Sequence, residues 1–265
     1  MRRLVISLVL LAGACGGGDD DGSGWVEVTD VPEQVSFRAL WVFSEDRVWL
    51  GGSMGTIEAF DGSSWTSEPT PAPGAIMALW ALGPDDVWAC AGTSILHHDG
   101  AQWTVVADTE ADGLRSTTGI WASGPQDVYV VGDDAIAVRW DGTATTRIPL
   151  PESSNTHIFG TAADDIWISG TFGLTHYDGA EWTSVDDPEL GFGATGVWGS
   201  APDDVWIATD DESVVHYDGS VYETVEPRRF IGSIAALWGT GPDDVWSVGT
   251  AGSIGHYDGT AWEEL

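Results

Sequence analysis

Short runs rich in Val, Ile, Trp and Tyr are cut by Gly, Pro, Asp and Ser at fixed offsets along most of the chain, with no helical periodicity between them. The clearest instance is residues 237–265, LWGTGPDDVWSVGTAGSIGHYDGTAWEEL. The same register returns as LWVFSEDRVW from Leu40, LWALGPDDVW from Leu79, IWASGPQDVY from Ile120, IFGTAADDIW from Ile158 and VWGSAPDDVW from Val197. Each is followed by an Asp-Gly segment, at Asp61, Asp99, Asp141, Asp178, Asp218 and Asp258. The anchor aromatics Trp41, Trp80, Trp121, Phe159, Trp198 and Trp238 recur about every 40 residues, a period typical of solenoids, propellers and arrays.

The last copy divides into four runs, 235–239, 244–249, 253–257 and 260–265. Pro242 and the aspartate after it suit a turn between the first two, and Asp258-Gly259 marks a tight hairpin between the last two. Four short antiparallel strands repeated radially predict an all-β fold, a six-bladed β-propeller of four-stranded antiparallel blades. The copies fall near 37–68, 76–106, 117–148, 155–185, 194–225 and 234–265, in one domain over 25–265.

Composition shows how such short strands bury a core. Of 16 tryptophans, Trp49, Trp88, Trp167, Trp206 and Trp246 sit on second strands, spaced to stack blade against blade. The formal charge of −33 comes from 42 acidic residues against nine arginines and no lysine, which excludes nucleic acid as a partner. Much of that acidity belongs to the PDD and DG turns, expected together on one face of the disc. Cys90 aligns with Val131, Ser169, Ala208 and Val248, a small buried slot, so it is expected to fill space rather than react.

Residues 1–14 open with Arg2 and Arg3, continue through an apolar run and end on small residues, the plan of a secretory signal peptide. The LAGAC ending resembles the bacterial lipobox, which implies Cys15 as the lipidated first mature residue. An ordinary secreted protein cleaved near Ala14 is the alternative. Residues 15–24 read as a flexible polar tether. Gly16 after the cysteine resembles lipoproteins sorted to the outer membrane, so the expected location is the outer membrane or cell surface, with the bilayer touched only through the lipid anchor. Residues 25–28, preceded by DGSG, look like a seventh copy of a fourth strand and compete with 262–265 for the edge of the last blade.

The motif DDVWxxGxxGxIxHYDGxxW, over about residues 25–265, resembles the tryptophan-rich β-propeller repeats of bacterial surface lipoproteins, grouped with BNR, kelch and WD40-like repeats. The resemblance implies fold and leaves activity open. A sialidase Asp-box keeps a spacer between Asp and Gly, whereas here they adjoin, as in Asp178-Gly179.

Residues present in nearly every copy are explained by blade geometry, so function is sought in what differs. Asp86, Asp127, Asp165, Asp204 and Asp244 are expected to accept backbone hydrogen bonds at the turn. His98, His176, His216 and His256 recur beside the DG turn and suit packing plus a hydrogen bond. Departures cluster in loops joining the fourth strand to the next copy and the second strand to the third, both expected around the channel mouth. They offer Arg38, Arg115, Asn155, His157, Phe192, Arg228, Arg229 and Phe230 as ligand-binding residues for a carboxylate or sugar, or Arg228 and Arg229 simply offset Glu223 and Glu226. Asp133, Asp134, Asp210, Asp211 and Glu212 are candidate calcium ligands, without EF-hand or RTX spacing, and no other cofactor is indicated.

Two functions follow. One is a monomeric, non-catalytic binding or scaffold module for a protein or glycan ligand, since no GxSxG or HExxH motif is present. The other is a glycan-active enzyme, sialidase-like or a lyase, in which Arg38, Arg115 and Arg228 or Arg229 grip a carboxylate.

Overall fold

In a computed structural model the chain is described over residues 36–44, 46–226 and 233–265. The expected signal peptide, Cys15, the tether, the 25–28 strand, and Arg228, Arg229 and Phe230 lie outside the described residues.

Six four-stranded antiparallel sheets follow one another along the chain, each ordered from first to fourth strand. Blade 1 holds β1 (Phe37–Ser44), β2 (Arg47–Gly52), β3 (Ile57–Phe60) and β4 (Trp65–Glu68). Blade 2 holds β5 (Ile76–Gly83), β6 (Asp86–Ala91), β7 (Ser94–His98) and β8 (Trp103–Asp108). Blade 3 holds β9 (Thr117–Gly124), β10 (Asp127–Gly132), β11 (Ile136–Trp140) and β12 (Thr145–Pro149). Blade 4 holds β13 (Asn155–Ala162), β14 (Asp165–Gly170), β15 (Gly173–Tyr177) and β16 (Trp182–Val185). Blade 5 holds β17 (Ala194–Ala201), β18 (Asp204–Thr209), β19 (Val214–Tyr217) and β20 (Tyr222–Glu226). Blade 6 holds β21 (Ile234–Gly241), β22 (Asp244–Gly249), β23 (Ile254–Tyr257) and β24 (Trp262–Glu264). The protein is a six-bladed β-propeller, and its helical content among the described residues is confined to three-residue 3₁₀ turns. None of its described helices is long and apolar enough to cross a membrane.

The second-strand tryptophans join neighbouring blades. Trp49 of blade 1 meets Trp103 of blade 2 edge-on at 5.7 Å between centroids, Trp167 meets Tyr217 at 5.6 Å, and Trp206 meets Tyr257 at 4.8 Å. Each such ring removes about 150–250 Å² from water, which is how sheets this small form a core. First-strand aromatics converge at the hub. Trp41 lies 4.6 Å from Trp80 and 5.0 Å from Trp238, and Trp80 lies 5.8 Å from Phe159, two blades away. Glycine makes room for them: a Cβ on Gly160 would come within 2.4 Å of Trp121, and one on Gly239 within 2.5 Å of Trp198.

The turn between first and second strands touches the Asp-Gly turn of its own blade, so both lie on one face. A Cβ on Gly179 would meet Asp164 at 2.9 Å, and one on Gly219 would meet Asp203 at 2.8 Å. In the Asp-Gly turns the carboxylate accepts two backbone N–H groups, those of Ser63 and Ser64 at Asp61 and those of Ala180 and Glu181 at Asp178. The glycine then takes φ near +88°, where a side chain is disfavoured. The Ser63 hydroxyl, with the Ser64 and Ser63 amides, holds Asp61 down at about 2, and the Thr260 hydroxyl with two amides does the same for Asp258.

The aspartates at the head of the second strand have a different role from the one expected. They accept from side chains, not from turn amides. Asp204 receives the Ser200 hydroxyl, the Trp206 indole N–H at 3.1 Å and the His216 imidazole at 2.7 Å. Asp165 and Asp244 repeat this with Thr161, Trp167 and His176, and with Thr240, Trp246 and His256. Burial opposes ionisation of Asp165, yet hydrogen bonds from His176, Thr161 and Trp167 outweigh it and lower its pKa. Asp127 takes Ser123 and, at 2.6 Å, Arg139, which stands in the histidine position. In blade 2 the partner of Asp86 is His97, at 2.7 Å, not His98. His98 occupies the tyrosine position and packs, tilted, against both Trp49 and Trp103 at 5.0 and 5.3 Å between centroids. Blade 1 lacks the node: Arg47 replaces the aspartate and reaches across to Asp85 of blade 2.

Candidate functional site

The opposite face carries the loops from fourth to first strands and from second to third, and here neighbouring blades interlock. The Ser154 amide, just before blade 4, donates to the Asp133 carbonyl of blade 3 at 3.0 Å, and the Thr117 amide of blade 3 to the Gly92 carbonyl of blade 2 at 2.9 Å. All four described non-glycine residues at positive φ, Met54, Ser154, Glu212 and Ala251, fall in these loops. Backbone strain of this kind gathers where loop shape is prescribed by something other than local preference.

The candidate residues separate into two groups. Arg38 is exposed at the start of β1, Arg115 is exposed in the loop before β9, and Phe192 is 88 % exposed in the loop before β17. Asn155 is buried, and its amide donates to the Asp134 carbonyl at 3.0 Å, tying two blades together. His157 is half-buried on β13, at a position held by Ala or Gly in the other blades, and its Nδ1 is buried without a partner. Burial pushes its pKa down, against a hydrogen bond to the Thr195 backbone. Thr195 Oγ1, on the adjoining strand, is likewise buried without a partner.

Two exposed apolar residues on this face went unnoticed in the sequence, Met54 at 79 % and Phe172 at 61 %. The loops bearing Phe172 and Phe192 abut, since a Cβ on Gly193 would fall 2.5 Å from the Thr171 carbonyl. An apolar residue inside an otherwise polar turn was the available signal.

Among the calcium candidates, Asp134 accepts the Arg115 amide at 3.3 Å and Asp211 accepts the Thr209 hydroxyl at 2.7 Å. Among the described residues no group of three or more His, Cys, Asp or Glu side chains is gathered to hold a metal ion. Cys90 is wholly buried, and burial raises its thiol to about 11, so it fills space. The tyrosines lie on second, third and fourth strands, and burial raises Tyr129 to about 12 and pushes Tyr222 and Tyr257 upward. None of these three phenols is activated as a nucleophile.

No protein-family model matches the chain, and no curated protein does. Solved structures do. YCF48 bound to D1 peptide is 17 % identical over 89 % of this chain and 83 % of that one, with a TM-score of 0.72. The extracellular domain of a hybrid two-component system from B. thetaiotaomicron is 16 % identical over 89 % of this chain and 34 % of that one, with a TM-score of 0.69. The Neurospora crassa Pan2 WD40 domain is 12 % identical over 87 % and 78 %, with a TM-score of 0.65. At these identities the likeness is one of architecture, and what it establishes for this chain is the β-propeller fold.

Proposed function

We propose that the protein is a non-catalytic β-propeller that binds a protein or glycan ligand through its interlocked loop face while anchored at the cell surface through Cys15. The observation that carries this is the division of labour between the two faces. One repeats the same Asp-Gly turn six times, with glycine φ between 87° and 93°, while the other holds the unrepeated, exposed Arg38, Arg115, Phe172 and Phe192. A rigid ring can vary such loops without cost to its core. Support also comes from similar structures: one is a propeller in complex with a peptide, and others are extracellular domains.

The soluble chain, carrying Cys15→Ser, is immobilised and used to capture surface proteins and arrayed glycans. Arg115→Ala and Phe192→Ala, and separately Arg228→Ala with Arg229→Ala, are expected to weaken capture by about tenfold or more, the scale of a lost anchor residue. Capture unchanged by every loop-face substitution, or lost on Asp178→Ala of the turn face alone, overturns the reading. Turnover of a fluorogenic sialoside would replace it with an enzyme.

A further inference from the structure

Blades 4 and 5 hold two phenylalanines outside the core on the loop face. Phe172 is exposed at the tip of the turn between β14 and β15, a turn closed by the pairing of Gly170 with Gly173. The equivalent turn carries Asp133 and Asp134 in blade 3 and Asp210, Asp211 and Glu212 in blade 5. Phe192 is exposed in the loop from β16 to β17. That loop is firmly built. Pro188 opens a 3₁₀ turn capped by Asp187, which accepts the Glu189 amide at 3.0 Å, and Leu190 is buried as its anchor. The loop therefore sends one apolar side chain inward and holds the next one out.

The two loops meet. A Cβ on Gly193 would fall 2.5 Å from the Thr171 carbonyl oxygen. Chain geometry then keeps the Phe172 and Phe192 Cα atoms within about 11 Å of each other, a span of about three extended residues. A carboxylate stands beside the neighbour of each ring. A Cβ on Gly173 would meet Glu152 Cγ at 3.7 Å, and one on Gly191 would meet Asp210 Oδ1 at 3.5 Å. Asp186 and Glu189 are exposed in the loop that carries Phe192, and Asp211 is exposed beside Asp210. No lysine or arginine occurs from residue 148 to residue 227, a stretch that contains every strand of blades 4 and 5. Arg38 and Arg115 lie elsewhere, at blade 1 and on the approach to blade 3.

We infer that this sector takes an arginine- or lysine-bearing segment of a protein partner, an inference that rests on loop-face binding and names its chemistry. An aromatic face attracts a cation held within about 6 Å of its centroid, and a guanidinium plane also stacks on the ring. The surrounding carboxylates supply the full charges that two phenylalanines lack. A second copy of the chain is a poor occupant, since it would bring the same carboxylates against these. A charge of −33 also speeds encounter with a basic partner over any other.

The test follows a fluorescein-labelled peptide of alternating arginine and serine by fluorescence anisotropy, with the full chain carrying Cys15→Ser, at about 0.15 M salt. Net charge draws any polycation to this protein, so the readout is the effect of substitutions that leave the charge unchanged. Phe172→Ser with Phe192→Ser is expected to weaken peptide binding by about tenfold or more, whereas Met54→Ser, at an exposed apolar position of blade 1, leaves it as in the parent. Both rings are exposed, so the thermal midpoint is expected to hold; should it fall, Phe192→Ser alone carries the comparison. A peptide with glutamine for every arginine is expected not to bind. Equal binding to parent and double variant overturns the inference in favour of diffuse charge attraction, and equal binding of the glutamine peptide overturns it in favour of a neutral ligand. Neither result bears on loop-face capture itself, which Arg115→Ala reads separately with surface proteins.

Discussion

At the scale of single residues, two kinds of aspartate divide the acidic repeat between them. Those of the Asp-Gly turns bind amides and sit fully at the surface. Those heading second strands bind side chains instead: an indole, an imidazole and a hydroxyl at Asp165, Asp204 and Asp244, and Arg139 with Ser123 at Asp127. Asp61 and Asp258 titrate at about 2 in the folded chain against 3.8 for an unperturbed aspartate. A depressed carboxylate stabilises the fold above the unfolded value and loses that contribution as pH falls from 3.8 toward about 2. Asp258→Asn keeps an acceptor and removes the titration. Its urea midpoint is expected to fall less steeply than the parent's across that window, and parallel slopes would show that the turn hydrogen bonds do not set the acid limit.

Strands and turns were largely legible in advance, because an interior filled by tryptophan every 40 or so residues leaves few alternatives. What escaped was pairing. Asp86 and Trp88 lie two apart on a strand and hence on one face, and Trp88 is paired with His97 on the next strand. The HHDG stretch offers two histidines, and only the register between β6 and β7 chooses between them. The same logic exposes the tightest places in the ring. Gly160 and Gly239 follow first-strand aromatics and lie under the rings of Trp121 and Trp198. Gly160→Ala and Gly239→Ala are each expected to cost about 1–3 kcal/mol, the usual penalty of overpacking, read as a shift in denaturant midpoint with unchanged slope. Gly124→Ala, where a Cβ meets nothing within 4 Å, serves as the neutral comparison. The loop-face candidates were harder to judge from sequence because exposure depends on neighbours: Asn155 and Phe192 look equally available as letters, and one is a buried tie while the other is 88 % open.

For the molecule as a whole, a charge of −33 on 265 residues works against compactness, since the turn face and the loop face both carry carboxylates. Salt shortens the range of that repulsion from about 10 Å at 0.1 M to about 3 Å at 1 M. The thermal midpoint is expected to rise with sodium chloride, by about 2–4 °C for each kcal/mol of repulsion screened in a chain of this size. A midpoint indifferent to salt would mean that the negative groups are already offset locally. The aromatic hub adds a constraint of another sort. With Trp80 within reach of both Trp41 and Phe159, rings drawn from opposite sides of the disc share a contact at the hub. Shrinking the one ring they share, as in Trp80→Ala, therefore loosens blades 1, 2 and 4 together rather than a single junction.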